Sequence, residues 1–153
     1  MYEDLKNHLL VCKSRLEGNW ILNNSGYEDD ICRLLEMKRE GSRYYDASWQ
    51  SYFIEFKKGK SIWLDLVRYS EIVLKANNDS LKETITLFFP NSRDWKRIEN
   101  IFAVETKKII KEMALDEEIA NTIVKLKDHI PRSLNAQASL TLKDVKRLAE
   151  FVI

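Results

Sequence analysis

The sequence predicts an α/β fold in which a central mixed β-sheet is flanked by helices. Helix-like and strand-like segments alternate, and the strand-like segments are rich in aromatic and β-branched residues. A helix of about sixteen residues separates two of these strands, and a connection of that length joins strands that run parallel. The 153 residues fit one domain, 1–153, and a hydrophobic content of 44% is enough for a core.

Helices are predicted where apolar residues recur every three or four positions. Leu5, Leu9 and Cys12 follow this spacing in the first helix, and Ser25 followed by Glu28 has the spacing of a capping box before the second. Helical elements are therefore expected at both the N-terminal and the C-terminal ends of the domain. The predicted helices span residues 2–16, 27–37, 61–76, 93–99, 106–113, 116–129 and 141–152.

Strands are predicted from short runs of aromatic and β-branched residues that stop at turn-forming residues. The predicted strands span residues 43–47, 49–57, 84–89 and 101–104. A turn at 58–60 follows the second strand, and Pro90 ends the third. The basic stretch 38–43 is predicted to be a loop or hairpin approach, and residues 131–137 are predicted to be a polar connection.

The charge balance excludes a protein that binds a polyanion through its total charge alone. The chain has 25 Lys and Arg against 24 Asp and Glu, a net charge of +1, so a nucleic-acid contact must use local clusters of basic residues or those of a dimer. Cys12 and Cys32 are predicted to be buried free thiols. The sequence carries no Cys/His spacing typical of zinc, signal peptide or transmembrane run, and a cytoplasmic protein is expected.

Asp46, Glu55 and Lys57 stand out as charged residues in an extended, aromatic-rich region. Because side chains alternate along a strand, Glu55 and Lys57 lie on one face, while Ile54 and Phe56 lie on the other. A charge on so apolar a strand costs several kcal/mol unless it is paired or bound to a metal. Asp46 reaches the same point if its segment pairs with this strand as a hairpin neighbour.

Two carboxylates this close repel each other, and Mg²⁺ relieves the repulsion. Mg²⁺ takes one or two carboxylates and completes its shell with waters and substrate phosphate. A metal-bound water is more acidic, and the metal stabilises charge developing at phosphorus. Lys57 is then placed to orient or deprotonate the attacking water, or to neutralise the pentavalent phosphate. The alternative for Glu55 and Lys57 is an edge-strand ion pair without chemistry.

Asp46 and, nine residues later, Glu55-Phe56-Lys57 resemble the PD-(D/E)xK motif of nucleases, most of all that of type II restriction endonucleases. The order of elements is also similar from residue 27 to about 113: an acidic helix, the two motif strands, a helix and two further strands. Tyr45 stands where the motif has proline. The resemblance implies that Asp46 and Glu55 bind Mg²⁺ and that Lys57 assists the nucleophilic water.

The resemblance also implies double-stranded DNA as the substrate and Glu28, on the preceding helix, as a further metal ligand. A capping-box role is the alternative for Glu28, and one residue can serve both purposes. Several basic residues that flank the motif are candidates for phosphate contact, with an ordinary solvated surface as the alternative. These candidates are Lys38, Arg39, Arg43, Lys58 and Lys60.

A restriction endonuclease of this kind is expected to act as a homodimer, since one centre cuts one strand and two copies on a palindrome cut both. The helix at 2–16 is the candidate dimer surface. Two other functions stay open: a Holliday-junction resolvase or repair nuclease of the same fold, and a non-catalytic interaction module. Trp49, Tyr52 and Trp63 are predicted to be core aromatics. The polar connection is predicted to be an ordinary loop, although it carries side chains able to contact base edges, at Arg132, Ser133, Asn135 and Gln137.

Overall fold

The secondary structure comes from a computed structural model that describes residues 1–16, 26–42, 44–59, 62–78, 84–90, 100–129 and 137–153. In these ranges the helices are α1 (Glu3–Cys12), α2 (Tyr27–Leu34), α3 (Leu66–Asn78), α4 (Thr106–Glu112), α5 (Glu117–Leu126) and α6 (Leu142–Leu148). The strands are β1 (Lys38–Arg39), β2 (Ala47–Trp49), β3 (Tyr52–Lys58), β4 (Ile62–Asp65), β5 (Thr84–Phe89), β6 (Phe102–Glu105), β7 (Gln137–Leu140) and β8 (Phe151–Val152). Short 3₁₀ turns follow α1 and α5.

A six-stranded mixed sheet with the order β1-β2-β3-β5-β6-β8 forms the centre of the fold. Strands β3 and β5 run parallel, because the chain passes from one to the other through β4 and α3. Every other neighbouring pair in this sheet is antiparallel. The prediction of a mixed sheet flanked by helices is confirmed, and β4 and β7 add a separate two-stranded antiparallel ribbon.

Apolar side chains pack on both faces of the six-stranded sheet. Ile54 and Phe56 of β3 belong to a first core, which they share with residues of α1 and α2. Phe88 of β5 belongs to a second core together with Tyr69 of α3. Burial of each large apolar side chain contributes about 1.5–3 kcal/mol, so two such layers fix the strand faces firmly. The side of β3 that carries Glu55 therefore faces α3.

Several predicted elements are confirmed with small shifts at their ends. The strand at 84–89 is β5 itself, and Cys12 and Cys32 are buried free thiols. The predicted cap Ser25 lies outside the described residues, and α2 instead begins after Gly26, whose φ of 75° is left-handed and which makes no side-chain cap. The helix predicted at 93–99 also lies outside the described residues.

The helix predicted for residues 61–76 is wrong in its first turn, which is strand β4. The predicted cap Ser61 is not among the described residues. Asp65, the last residue of β4, accepts hydrogen bonds at Oδ1 from the backbone N–H groups of Val67 and Arg68, at 2.9 and 3.2 Å. The strand forms because β4 pairs with β7, more than seventy residues later. Local spacing cannot reveal such a pairing, and β7 was not predicted either.

The helix predicted for residues 141–152 is also wrong in its last four residues. Helix α6 ends at Leu148, and extended backbone at Ala149 leads into β8. The N–H of Glu150 donates to the carbonyl oxygen of Ala103 at 2.8 Å, and β8 then pairs with β6. The free hydrogen-bonding edge of β6 converts this helix-like sequence into a strand.

The strands predicted at 43–47 and 49–57 are displaced along the chain. Strand β2 lies at Ala47–Trp49, and Gln50 and Ser51 form the turn into β3. Gln50 has a φ of 50°, in the left-handed region that Gly and Asn usually occupy in hairpins. This turn therefore carries no recognisable residue pattern. Part of the basic stretch forms β1, which pairs with β2.

Thr141 caps α6, and its replacement tests how far the cap supports the C-terminal layer. The Thr141 hydroxyl accepts from the Asp144 N–H at 3.2 Å, and the Asp144 carboxylate accepts from the Thr141 N–H at 3.1 Å. We expect Thr141→Ala to lower the free energy of unfolding by about 1 kcal/mol, measured by urea denaturation. Lys143→Ala, at an exposed position of the same helix, is the control, and an equal loss there would contradict the capping role.

Candidate active site

The β2–β3 hairpin brings Asp46 and Glu55 together. The Asp46 N–H donates to the carbonyl oxygen of Ile54 at 2.9 Å, and the Asp46 carboxylate oxygen Oδ2 accepts from the Phe56 N–H at 2.8 Å. The two residues of β3 that bond to Asp46, Ile54 and Phe56, are the immediate neighbours of Glu55 in the sequence. The Asp46 side chain is only 15% exposed. The sheet therefore holds one carboxylate beside the other, as the sequence predicts.

Glu55 is the more buried of the two carboxylates, with 4% of its surface exposed. Its pKa is raised to about 7, chiefly by burial and then by the nearby negative charge of Asp46, while Arg68 and Lys57 oppose the rise. The guanidinium of Arg68 contacts Oε2, and the Lys57 ammonium lies 3.7 Å from Oε1. A carboxyl that titrates near neutrality beside a second carboxylate is typical of a functional site.

Lys57 lies on the same face of β3 as Glu55, as strand alternation predicts. Its side chain is 20% exposed and its ammonium is directed to the Glu55 carboxylate. Lys58, the next residue, lies with its ammonium 4.5 Å from the ring centre of Tyr27. The two lysines therefore have different surroundings, and Lys57 is the one that shares the site with the two carboxylates.

Glu28 lies on α2, whose buried residues pack in the first core, on the face of the sheet away from Glu55. Within the ranges that the structure describes, no group of three or more His, Cys, Asp or Glu side chains lies close enough together to hold a metal ion. Glu28 therefore does not join Asp46 and Glu55 in such a group. Its assignment as a metal ligand stays a prediction.

The donor set of Asp46 and Glu55 fits a hard divalent cation such as Mg²⁺. Mg²⁺ binds through one or two carboxylates and keeps several waters, so a pair of carboxylates is sufficient. The pKa of Glu55 is raised chiefly by burial and then by the negative charge of Asp46. A cation bound between the two carboxylates would favour the ionised form of Glu55 and lower that pKa.

No family model matches the chain, and no characterised protein or solved structure is significantly similar to it. No helix in the described ranges is both long and apolar enough to cross a membrane.

The basic residues that flank the motif have different surroundings. Lys38 is 78% exposed and lies 3.7 Å from Glu40. Arg39 is engaged with its neighbours: its Nε donates to Asp29 at 2.8 Å, and its guanidinium also donates to the backbone carbonyl of Asp46. Arg43 and Lys60 lie outside the described residues. For all of these basic residues, contact with DNA phosphate stays a prediction.

Arg68 is the residue of the site that the sequence analysis missed. It lies in the first turn of α3, thirteen residues after Glu55, and its side chain is 22% exposed. The available signal is a basic residue near the start of the helix that follows the motif strand. The predicted helix begins at residue 61, five residues before α3, so its periodicity does not reveal the face that Arg68 presents to β3.

The aromatic predictions are confirmed for Tyr52, which is buried, and wrong for Trp63, which is 55% exposed. Trp49 is partly buried and stacks on His8, with ring centres 4.6 Å apart. Trp63 lies on the ribbon strand β4, where its partner is Ser139. Gln137, one of four polar residues noted in the predicted connection, is exposed at the start of β7, whereas the other three, Arg132, Ser133 and Asn135, lie outside the described residues.

Proposed function

We propose that this chain is a Mg²⁺-dependent type II restriction endonuclease that hydrolyses double-stranded DNA at a short sequence. The observation that carries the proposal is the placement of the Asp46 carboxylate on the Phe56 N–H, beside the buried carboxylate of Glu55. Lys57 completes the triad on the same strand face. The order α2, β1, β2, β3, β4, α3 and β5 keeps the helix, motif strands, helix and strand of a restriction-endonuclease-like fold, with β4 as an additional strand, and supports that fold, in which this triad is the catalytic signature.

In the proposed mechanism Asp46 and Glu55 hold the cation. The cation would supply Lewis-acid chemistry, by acidifying water and stabilising charge at phosphorus. The Phe56 N–H keeps the Asp46 carboxylate in its orientation, so this carboxylate needs little reorganisation to bind the cation. Lys57 orients the attacking water or takes up its proton, and its charge stabilises the additional negative charge on the phosphate.

The proposed DNA contacts are local, since the net charge is only +1. Lys38 and Arg39 lie on β1, the strand next to the one that Asp46 precedes, and Lys58 ends the strand that carries Glu55. Arg39 also lies 3.6 Å from the Asp46 carboxylate, so a positive side chain borders the site, as a phosphodiester substrate requires. Lys38 and Lys58 are proposed to contact neighbouring phosphates. Arg43 and Lys60 are proposed to join them.

The proposal includes a homodimer in the cytoplasm. Helix α1 buries Leu5 and Leu9 but leaves Leu10 and Val11 51% and 70% exposed. An apolar pair on an outer helix face supports the use of α1 as the contact between two copies. Two copies bring two centres to one duplex, so that both strands are cut.

Digestion of linear duplex and of a four-way junction tests the proposal. With Mg²⁺, the purified protein is expected to cut linear DNA of mixed sequence at discrete positions, and a chelator is expected to stop it. Preferential cutting of the junction would instead identify a resolvase of the same fold. A protein that cuts neither substrate would contradict nuclease function altogether.

A further inference from the structure

The buried carboxylate of Glu55 is occupied on both oxygens by basic side chains. Arg68 contacts Oε2, and Lys57 lies 3.7 Å from Oε1. Arg68 reaches this position from the first turn of α3, where Asp65 fixes the backbone by accepting from the Arg68 N–H at 3.2 Å. The guanidinium therefore occupies space beside the same carboxylate that the proposed function assigns to a divalent cation.

The contact leaves Arg68 incompletely satisfied. Its Nε atom is buried and has no hydrogen-bond partner. An arginine that serves only to brace a carboxylate is usually bound through both edges of its planar fork. In Arg68 the terminal NH2 group donates to Glu55, whereas the buried Nε–H has no acceptor. A different partner could bind both donors and would remove the cost of the unsatisfied Nε–H.

A guanidinium and a divalent cation cannot both be close to Glu55 without strong repulsion. The site is largely shielded from water, since Glu55 is 4% exposed, and screening between like charges is weak there. Asp46 adds one further negative charge, which is not enough to neutralise the guanidinium and the divalent cation together. The more highly charged cation binds Glu55 only if the arginine gives way.

We propose that Arg68 is a built-in competitor of the metal: it neutralises Glu55 in the metal-free protein and releases this carboxylate when a divalent cation binds. This inference rests on the proposed function, because it assumes that Glu55 is a metal ligand. The released guanidinium keeps its bidentate donors, which suit the oxygen atoms of a phosphodiester. Arg68 is therefore a positioning residue: it contacts Glu55 when the metal is absent and leaves Glu55 when the metal is bound.

Mn²⁺ binding without DNA tests the competition directly. We would titrate wild type, Arg68→Ala and Arg68→Lys with Mn²⁺ and follow the free ion by electron paramagnetic resonance. Work at about pH 8.5 keeps Glu55 above its pKa of about 7 in the wild type. We expect Arg68→Ala to bind Mn²⁺ about tenfold more tightly, which corresponds to about 1.4 kcal/mol. Arg68→Lys, which keeps the charge, is expected to stay close to wild type.

Arg147→Ala is the matched control. Arg147 also contacts a glutamate, Glu112, but it does so on the exposed surface of α6. The variant loses the same charge and a similar contact, and its Mn²⁺ affinity is expected to equal that of wild type. A bracing role for Arg68 predicts the opposite sign, because a carboxylate that has lost its support binds metal more weakly. Equal or weaker Mn²⁺ binding by Arg68→Ala would therefore overturn the competition.

A second measurement needs no folded Arg68→Ala protein. In the wild type, the ¹⁵N resonance of the Arg68 Nε–H, assigned by its absence from Arg68→Lys, is expected to shift as Mg²⁺ is added. An unshifted resonance at saturating Mg²⁺ would overturn the inference and leave the proposed function intact. Absence of any Mn²⁺ binding by the wild type would overturn both, since Glu55 would then hold no metal.

Discussion

Lys57→Ala is expected to lower the rate of Mg²⁺-dependent DNA cleavage by about 10²- to 10⁴-fold, the range over which a positioned acid–base group contributes to catalysis. Lys57 is the basic residue that shares a strand face with Glu55, and its ammonium lies 3.7 Å from that carboxylate. No neighbouring strand residue replaces it, because Lys58 is directed to the Tyr27 ring. Single-turnover cleavage of a labelled duplex measures the effect.

The same variant is expected to bind duplex DNA almost as well as wild type, since it loses one charge among several basic groups. Filter binding in the absence of Mg²⁺ gives the affinity. Lys111→Ala, on an exposed position of α4, is the control for loss of one lysine. Equal cleavage by Lys57→Ala and Lys111→Ala would remove Lys57 from the catalytic machinery.

Glu55→Gln is expected to stabilise the metal-free protein, because the ionised carboxylate is unfavourable where the fold holds it. The pKa of Glu55 is raised from 4.5 to about 7, chiefly by burial and then by Asp46. The protonated form is thus favoured in the folded state: its stabilising effect is full below about pH 4.5 and is lost as the pH rises through 7. A shift of this size corresponds to about 3 kcal/mol.

Glutamine imitates the protonated acid at every pH, so the variant should exceed wild type in stability at pH 8 and match it at pH 4. For a domain of this length the difference at pH 8 corresponds to a rise in Tm of roughly 6–12 °C. Mg²⁺ is expected to stabilise only the wild type, and so to reduce the difference in Tm between the variant and the wild type. Thermal melts at both pH values, with and without Mg²⁺, measure these effects.

Glu105→Gln provides a control of opposite sign. Glu105 is also buried, and burial alone would raise its pKa, but a hydrogen bond from Tyr2 and the nearby Lys107 lower it below the ordinary value. Its ionised form stabilises the fold, so Glu105→Gln is expected to lower Tm at pH 8. If both variants raised Tm at pH 8, or neither did, the conclusion that the fold disfavours ionised Glu55 would be contradicted.

The residues of the triad could be predicted from sequence because their geometry depends on local structure. Strand alternation places Glu55 and Lys57 on one face, and a single hairpin carries Asp46 back to the same strand. Both relations involve residues no more than about ten positions apart, where pattern is informative. Strand β2 begins later than predicted, but Asp46, just before it, still bonds to Ile54 and Phe56 of β3.

Features that depend on distant pairing could not be predicted. Strand β4 needs β7 and strand β8 needs β6, and neither partner is apparent from local composition. The position of Arg68 over Glu55 depends on β4, since β4 sets where α3 begins. The exposure of Trp63 has the same origin, because an aromatic residue in a two-stranded ribbon has a packed layer on one side only.

The comparison of wild type with Asp46→Asn on a long DNA of known sequence tests the metal-dependent triad most directly. Asparagine keeps an acceptor for the Phe56 N–H and removes only the negative charge. With Mg²⁺, the wild type should give a fixed set of bands, and Asp46→Asn should leave the DNA intact although it melts as a folded protein. Wild-type protein that leaves the DNA uncut, or a variant that yields the same bands, would show that these carboxylates do not form a nuclease centre.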